Sequence, residues 1–298
     1  MNPALERMPE GGEIGPPRSG WRLAMREFSR NRLAVVGVAT LLFFVLFCFL
    51  GPFFYHGDVL TANLNGTSAS PGAGHPLGTD DEGFDVLAEL MKGGQASLEI
   101  GFLAAIFATV LGAFWGAVSG LAGGLLDSAM MRVVDILLSI PFLFIVLIVA
   151  VRYGASVLSL SLILGAFTWL VPARLVRGEV LSLKVRDFVL AARSAGSTRW
   201  RLINRHLLPN ALSVIIVNVT FNIADAILAV SYLGFLGFGL HFPNFDWGDM
   251  ISDGINYMLD GYWWLIYPVG FCIVATVMAC NFIGDALRDA LDVRLRRR

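Results

Sequence analysis

The feature that most constrains this chain is a series of apolar stretches, each long enough to cross a bilayer as a helix. About 20 helical residues cross a bilayer core of about 30 Å. Stretches of that length without Asp, Glu, Lys or Arg occupy residues 33–55, 100–126, 153–173 and 261–284. Composition agrees, because 56% of the residues are hydrophobic and 15% are charged, against about 45–50% and 25% in soluble domains. We therefore predict an all-α, polytopic membrane protein.

Two further regions complete the count of spans. Residues 136–151 reach full length only if residues 130–135 form a first, interfacial turn. Residues 207–245, in which Asp225 is the only charged side chain, are too long for one span and barely long enough for two. With one span there the total is six, and all but Lys92 and Arg152 of the 22 lysines and arginines lie on the cytoplasmic side, as the positive-inside rule requires.

A seventh span would export the arginine-rich C-terminus. We therefore predict that the fifth helix ends near Gly234 and that residues 234–260 form an outer segment, in which Gly237, Gly239 and Pro243 interrupt regular structure. Residues 1–17 read as a loose tail. Trp21, Met25 and Phe28 predict one face of an interfacial helix.

The predicted organisation has five parts. They are a cytoplasmic tail with the interfacial helix (1–32), the first transmembrane helix (33–55), an extracytoplasmic segment (56–98), a core of five transmembrane helices with an inner loop at 174–208 (99–288), and a basic cytoplasmic tail (289–298).

The sequence contains no motif that indicates an enzyme. The four histidines lie in loops or at helix ends, so no span offers a base to a serine. The motif H-E-x-x-H is absent, the three cysteines lack zinc-ligand spacing, and neither lysine belongs to a phosphate-binding loop. We predict no catalytic residue, metal or cofactor on this chain, so any ATP and Mg would be bound by another subunit.

The inner loop carries the most specific pattern. It has eight basic and two acidic residues, and the positive-inside rule alone would explain that charge. The spacing predicts a helix over 187–195, a break at Gly196, a cap at Ser197 or Thr198, and a second helix to Leu208, with Pro209 starting the next span.

On that second helix, Trp200, Ile203 and Leu207 predict one apolar stripe, while Arg201 and Arg205 lie off it. An exposed amphipathic helix is typical of an element that docks into a groove on a partner.

The loop sequence A-A-R-S-A-G followed by R-H-L-L-P-N resembles the E-A-A-x(3)-G-x(9)-I-x-L-P loop of ABC-importer permeases. Leu190 and His206 stand where that pattern has glutamate and isoleucine. Residues 30–37, 75–80, 85–87, 173–184 and 284–292 are also similar to the C-type permease of dipeptide and oligopeptide importers.

This resemblance implies a type I ABC importer permease with six transmembrane helices and a cytoplasmic coupling helix, in the bacterial inner membrane with both termini in the cytoplasm. Its partners would be a B-type permease, two ATPase subunits or a fused ATPase, and an extracytoplasmic substrate-binding protein. The cargo would be peptides, or another solute such as a metal chelate or haem. The implied ATPase-coupling residues are Ala191, Ala192, Gly196, Ser197, Trp200, Arg201, Ile203, Arg205, Leu208 and Pro209.

Asp225 is the one carboxylate deep inside a predicted span. Asn218, Asn222 and Asp225 follow i, i+4, i+7 spacing and share one helix face. They line a translocation pathway, or they bond neighbouring helices; both interpretations stay open. The family's glutamate near the outer end of this helix is replaced by Val230. An ion-coupled secondary transporter using Asp225 is the alternative, although the sequence shows no paired broken helices.

Three secondary expectations concern packing and the outer face. Small residues at Gly112, Gly116, Gly120 and Gly123 predict close helix contact. Pro141 and Pro172 predict kinks. The outer segments are acidic, which either steers a basic binding protein or follows from topology alone.

Overall fold

The structure, a computed structural model, describes residues 20–57, 59–61, 63 and 66–296, with side chains from residue 24 to residue 291. The predicted loose tail, the side chain of Trp21 and the end of the basic tail lie outside this part. Within it all regular structure is helical, apart from one isolated bridge between Thr79 and Asp85.

The described residues form twelve α-helices, and a π-helical turn at Ile203–Leu207 joins two of them. The helices are α1 (Gly20–Arg30), α2 (Arg32–Phe54), α3 (Val86–Ala122), α4 (Gly124–Ser139), α5 (Phe142–Tyr153), α6 (Val157–Thr168), α7 (Leu170–Leu183), α8 (Asp187–Ser194), α9 (Arg199–Leu202), α10 (Leu208–Phe235), α11 (Trp247–Ile255) and α12 (Tyr267–Arg296).

Among the described residues, four helices are long and apolar enough to span a membrane, and the count is six if each of two bent pairs is one span. Four are continuous, and two are bent pairs: α4 with α5 at 83° and α6 with α7 at 45°. Pro141 immediately precedes α5, and Pro172 lies in the first turn of α7, so both predicted kinks are confirmed. Apolar residues continue through both bends, so the prolines indicated the bends and hydropathy did not.

Helix α3 is central to the bundle and packs against α6, α7 and α10. A Cβ atom at Gly116 would lie 2.3 Å from the Ala173 carbonyl oxygen, and one at Gly112 would lie 2.7 Å from the Trp169 oxygen. The predicted close contact is thereby confirmed, since only glycine allows such an approach. Gly123 instead ends α3, with φ +67°.

Helix α3 also begins earlier than its apolar core suggests. It starts at Val86, where Asp85 accepts a hydrogen bond from the Ala88 amide at 2.9 Å. Glu89 and Lys92 interrupt the hydropathy of these first turns, so the sequence indicated a span only from residue 100. Residues 86–98 of the predicted outer segment are therefore helical.

Asp85 also bonds to side chains of the segment between α2 and α3. Its carboxylate accepts hydrogen bonds from the Tyr55 hydroxyl at 2.6 Å and contacts His75 Nδ1 at 2.7 Å. Thr79 follows on the same loop, and its carbonyl accepts a hydrogen bond from Trp264 Nε1 at 3.2 Å. The sequence similarity around residues 75–87 thus corresponds to contacts that fix the starts of α3 and α12.

The predicted end of the fifth helix is correct to within one residue, since α10 ends at Phe235. The chain then reverses around Asp246, which is fully buried and caps α11 by accepting from the amides of Gly248 and Asp249 at 2.8 and 3.1 Å. A Cβ atom at Gly234 or Gly239 would collide with this carboxylate. The segment after α10 is therefore folded back onto the bundle.

Candidate functional site

The inner loop contains the predicted helix, turn and second helix. Helix α8 covers Asp187–Ser194, and Gly196 follows with φ +81°, a backbone conformation that glycine adopts without steric penalty. The Ser197 amide donates to the Ala192 carbonyl at 3.1 Å across this turn. Gly196 is thus the residue that allows the chain to reverse between α8 and α9.

Thr198, one of the two predicted caps, starts the second helix by accepting a hydrogen bond from the Arg201 amide at 3.3 Å. Helix α10 begins at Leu208 with Pro209 in its first turn, so the predicted start is correct to within one residue, although the π-helical turn joins it to α9 without a break. A proline inside a helix lacks an amide donor and crowds the preceding turn. Here the π-helical turn directly precedes it, with the Leu208 amide bonded to the Ile203 carbonyl.

The predicted apolar stripe divides into two parts. Ile203 and Leu207 are buried and pack with Leu202 against α3, α7 and α8 of this same chain. Trp200 is 59% exposed. Its ring packs edge-to-face with the ring of Phe114, with the two ring centroids 6.1 Å apart. Helical spacing cannot distinguish the chain's own core from a partner's groove, so Ile203 and Leu207 were misassigned to a docking surface.

The surface left exposed is basic and contains one large aromatic ring. Among the predicted coupling residues, Ala191, Gly196, Trp200, Arg201, Arg205 and Pro209 are exposed, while Ala192, Ser197 and Leu208 are partly buried. Arg193 and Arg199 add to the exposed charge. Neither they nor Arg201 and Arg205 form an ion pair with any residue of the described part.

Sequence reasoning missed the contacts that fix α7, the helix that leads into the inner loop, to α3 and α4. Arg177 on α7 donates from Nε and Nη2 to Asp127 on α4 at 2.6 and 2.7 Å, and Ser119 Oγ also donates to Asp127. Lys184 Nζ donates to the Gly120 carbonyl at 3.0 Å. The partners are 50 and 64 positions apart, so no local pattern indicates them.

The three polar residues of α10 have different neighbours. Asn222 is buried, and its amide donates to Thr109 Oγ1 on α3 at 3.2 Å. Asn218 lines a cavity of about 410 Å³ that Arg288 and Leu175 also border. The shared face predicted by spacing is therefore divided, and Asn222 has the helix-bonding role.

Asp225 lines a separate cavity of about 280 Å³. Phe142 at the start of α5 and Thr168 at the end of α6 border the same cavity, so the carboxylate lies beside both bent pairs. Tyr232, one further residue of α10, completes its polar lining.

A bundle of membrane-length helices with cavities at Asn218 and Asp225, and with a basic loop continuous with one of the helices, is typical of a membrane transport permease. The family model described as "Binding-protein-dependent transport system inner membrane component" matches residues 108–297. The model described as "N-terminal TM domain of oligopeptide transport permease C" matches residues 19–71. The chain belongs to this family of inner-membrane components and, within it, to the C-type permeases of dipeptide and oligopeptide ABC importers.

Relatives agree over nearly the whole length. The dipeptide transport system permease protein DppC of Bacillus subtilis is 38% identical over 92% of this chain and 86% of its own. The oligopeptide transport system permease protein OppC of Escherichia coli K12 is 40% identical over 98% of this chain and 97% of its own.

A solved structure of the MetNI methionine ABC transporter, in an inward-facing conformation, shares the fold. It matches with a TM-score of 0.56 and 22% identity, over 68% of this chain and 96% of that one. The all-α, type I importer fold is thus confirmed, with four to six candidate spans.

Proposed function

We propose that this chain is the permease subunit of an ATP-driven importer of dipeptides or oligopeptides. It forms half of the translocation pathway together with a B-type permease, and it receives the motion of two ATPase subunits, or of a fused ATPase, through residues 187–207. An extracytoplasmic binding protein delivers the cargo. This chain is not an enzyme and holds no cofactor, because ATP and Mg belong to the ATPases.

The observation that carries this proposal is the continuity of the inner loop with α10. Trp200 and the exposed arginines offer a surface to a partner, while Leu202, Ile203 and Leu207 fix the same helix to the bundle. A force applied at Trp200 therefore acts directly on the fifth span. Family membership favours this mechanism over an ion-coupled secondary transporter.

The pathway residues follow from the cavities. We assign Asn218 and Asp225 to the pathway, since each lines a cavity, and we leave Asn222 to helix packing. A carboxylate inside a membrane is stabilised only by protein, water or an ion. Asp225 therefore suits the ammonium group of a passing peptide.

The test compares three variants of the full transporter reconstituted in liposomes: Gly196→Asp, Trp200→Asp and, as a control, Ser182→Asp. Ser182 is exposed on α7 in the same inner connection but away from the turn. We expect the first two variants to assemble into the transporter but to lose ATP-driven uptake, because the altered loop no longer binds the ATPase. The control retains coupling. Normal ATP-driven uptake by both loop variants would refute the coupling role.

A further inference from the structure

A small acidic pocket lies at the start of α3, on the side of the molecule opposite to the inner loop. It has a volume of about 20 Å³, which is room for one water-sized group. Glu89 of α3, Asp253 of α11, and Asp80 and Asp81 of the preceding loop line it, together with Phe245 and Met250. Carboxylates from three separate segments thus converge on one space.

Glu89 is the unusual member of this pocket. Only 6% of the residue is exposed, and among the residues that the structure describes none donates a hydrogen bond to its carboxylate or forms an ion pair with it. Lys92, one turn further along α3, is exposed instead. An ionised carboxylate buried without a partner is strongly unfavourable, so the described residues lack the partner that would favour the ionised form of Glu89.

The other carboxylates differ in how far they are satisfied. Asp80 accepts from the Phe84 amide at 2.6 Å, and Asp81 accepts from the Tyr257 hydroxyl at 2.8 Å. Asp253 has no such donor in the described part of the chain and is exposed at the pocket rim. The pocket therefore has a buried carboxyl group at its floor, Glu89, and an exposed one at its rim, Asp253.

The chemistry of the lining selects the occupant. Described His, Cys, Asp and Glu residues form no group of three placed to hold a metal ion. An ammonium group has about the size of a water molecule and carries three donors, whereas a guanidinium is larger and planar. A lysine side chain therefore fits the space, the charge and the lack of donors.

We propose that this pocket is the docking point for a lysine side chain of the extracytoplasmic binding protein. The proposal rests on the proposed function, in which the pocket lies on the extracytoplasmic side of the membrane and the binding protein docks there. Glu89 holds the ammonium group, and Asp253 guides it in. A charge pair that is desolvated on docking mainly slows dissociation, whereas a rim charge mainly speeds association.

The test uses the whole transporter, with its ATPases and second permease, in lipid nanodiscs, and the purified binding protein of the same transport system as the probe. Its affinity is measured for wild type, Glu89→Gln, Asp253→Asn and Asp260→Asn. Asp260 is an exposed aspartate of the same outer segment outside the pocket, so its variant changes net charge equally. We expect Glu89→Gln to weaken binding about tenfold or more, chiefly through faster dissociation, and Asp253→Asn to weaken it less, chiefly through slower association. Asp260→Asn should change binding less than about twofold.

Two further arms separate the causes. Acetylation of the binding protein's lysines is expected to remove the difference between wild type and Glu89→Gln, because the ammonium is lost. Binding protein with and without cargo is expected to show the same dependence on Glu89. A dependence seen only with cargo would overturn the proposal in favour of a cargo ammonium. Glu89→Gln is nearly isosteric, and a thermal midpoint of the complex no lower than that of wild type confirms its folding.

Equal loss in all three variants would show only diffuse steering and would overturn the pocket. So would wild-type affinity in Glu89→Gln. Either result leaves the importer function intact, because the wild-type complex still assembles and binds. Failure of the wild-type chain to assemble with ATPases and a second permease would instead refute the proposed function itself.

Discussion

Asp249 and Asp80, two residues of the outer segment, have carboxyl groups whose pKa values are raised by folding. Burial, reinforced by Asp253 and Asp246, raises the pKa of Asp249 to about 7. Burial also raises the pKa of Asp80 to about 6, although three backbone amides oppose it. Both values lie above the ordinary 3.8, so the folded chain binds more protons than the unfolded chain in the range between.

Stability of the assembled transporter is therefore expected to be highest below about pH 4 for these two groups and to decrease as the pH rises through about 7. Thermal unfolding of the purified complex between about pH 5 and 8 measures this. Asp249→Asn should flatten the decrease, since an amide does not titrate, whereas Asp260→Asn should not. A midpoint that rises over this range in wild type, and not in Asp249→Asn, would contradict the assigned pKa shift.

Single residues were predictable where local geometry decides their role. Gly196 was identified because a turn between two helices requires a residue tolerant of positive φ, and its φ is +81°. Asp246 and Glu89 were not identified. Their roles depend on residues from distant segments, such as Gly234 below Asp246, and no spacing in the sequence indicates such contacts.

At the scale of elements, two Arg–Asp pairs join α4 to α7 and differ in burial. Arg177 and Asp127 form a bidentate pair with side chains 31% and 11% exposed, whereas Arg174 and Asp135 meet at 2.5 Å with side chains 49% and 47% exposed. Water screens the second pair much more effectively. The first pair therefore fixes α7, and with it the inner loop, to the bent segment.

Arg177→Met is expected to destabilise the chain by about 1.5–3 kcal/mol, because Asp127 loses its charged hydrogen bonds while partly buried. Arg174→Met, the matched control, should change stability by less than about 1 kcal/mol. Thermal midpoints of the two variants in the same detergent measure the difference. Equal midpoints would mean that burial does not distinguish the pairs.

Helices were predictable from apolar length and the two bends from Pro141 and Pro172, but neither the bend angles nor the π-helical junction was. The end of α10 near Gly234 was correct because glycines and Pro243 interrupt the pattern there. The start of α10 at Pro209 was correct to within one residue because proline usually marks a helix start, but nothing in the sequence indicated the π-helical turn that joins α10 to α9. The stripe of Trp200, Ile203 and Leu207 was correct in spacing and wrong in the surface that it contacts.

At the scale of the whole molecule, the sidedness of the loops remains a prediction from charge. The arginine-rich connection between α7 and α10 is expected in the cytoplasm, and the loop before α3 outside. The native cysteines, Cys48, Cys272 and Cys280, are all buried, so an introduced cysteine reports its own side.

Ser70 and Ser194 are exposed in these two loops. In intact spheroplasts, a membrane-impermeant maleimide should label Ser70→Cys and should label Ser194→Cys only after permeabilisation. Wild-type protein is the control for native cysteines. The opposite labelling pattern would reverse the topology, and with it both proposed docking faces.

The unbroken helix through Arg199–Phe235 has a mechanical consequence. Its 37 residues measure about 56 Å, from the exposed arginines at one end to the glycine that seats Asp246 at the other. No hinge separates the two ends except the π-helical turn. A displacement imposed at one surface of the membrane therefore either reaches the opposite surface undiminished or is absorbed by changing the hydrogen bonds of five residues, Ile203–Leu207.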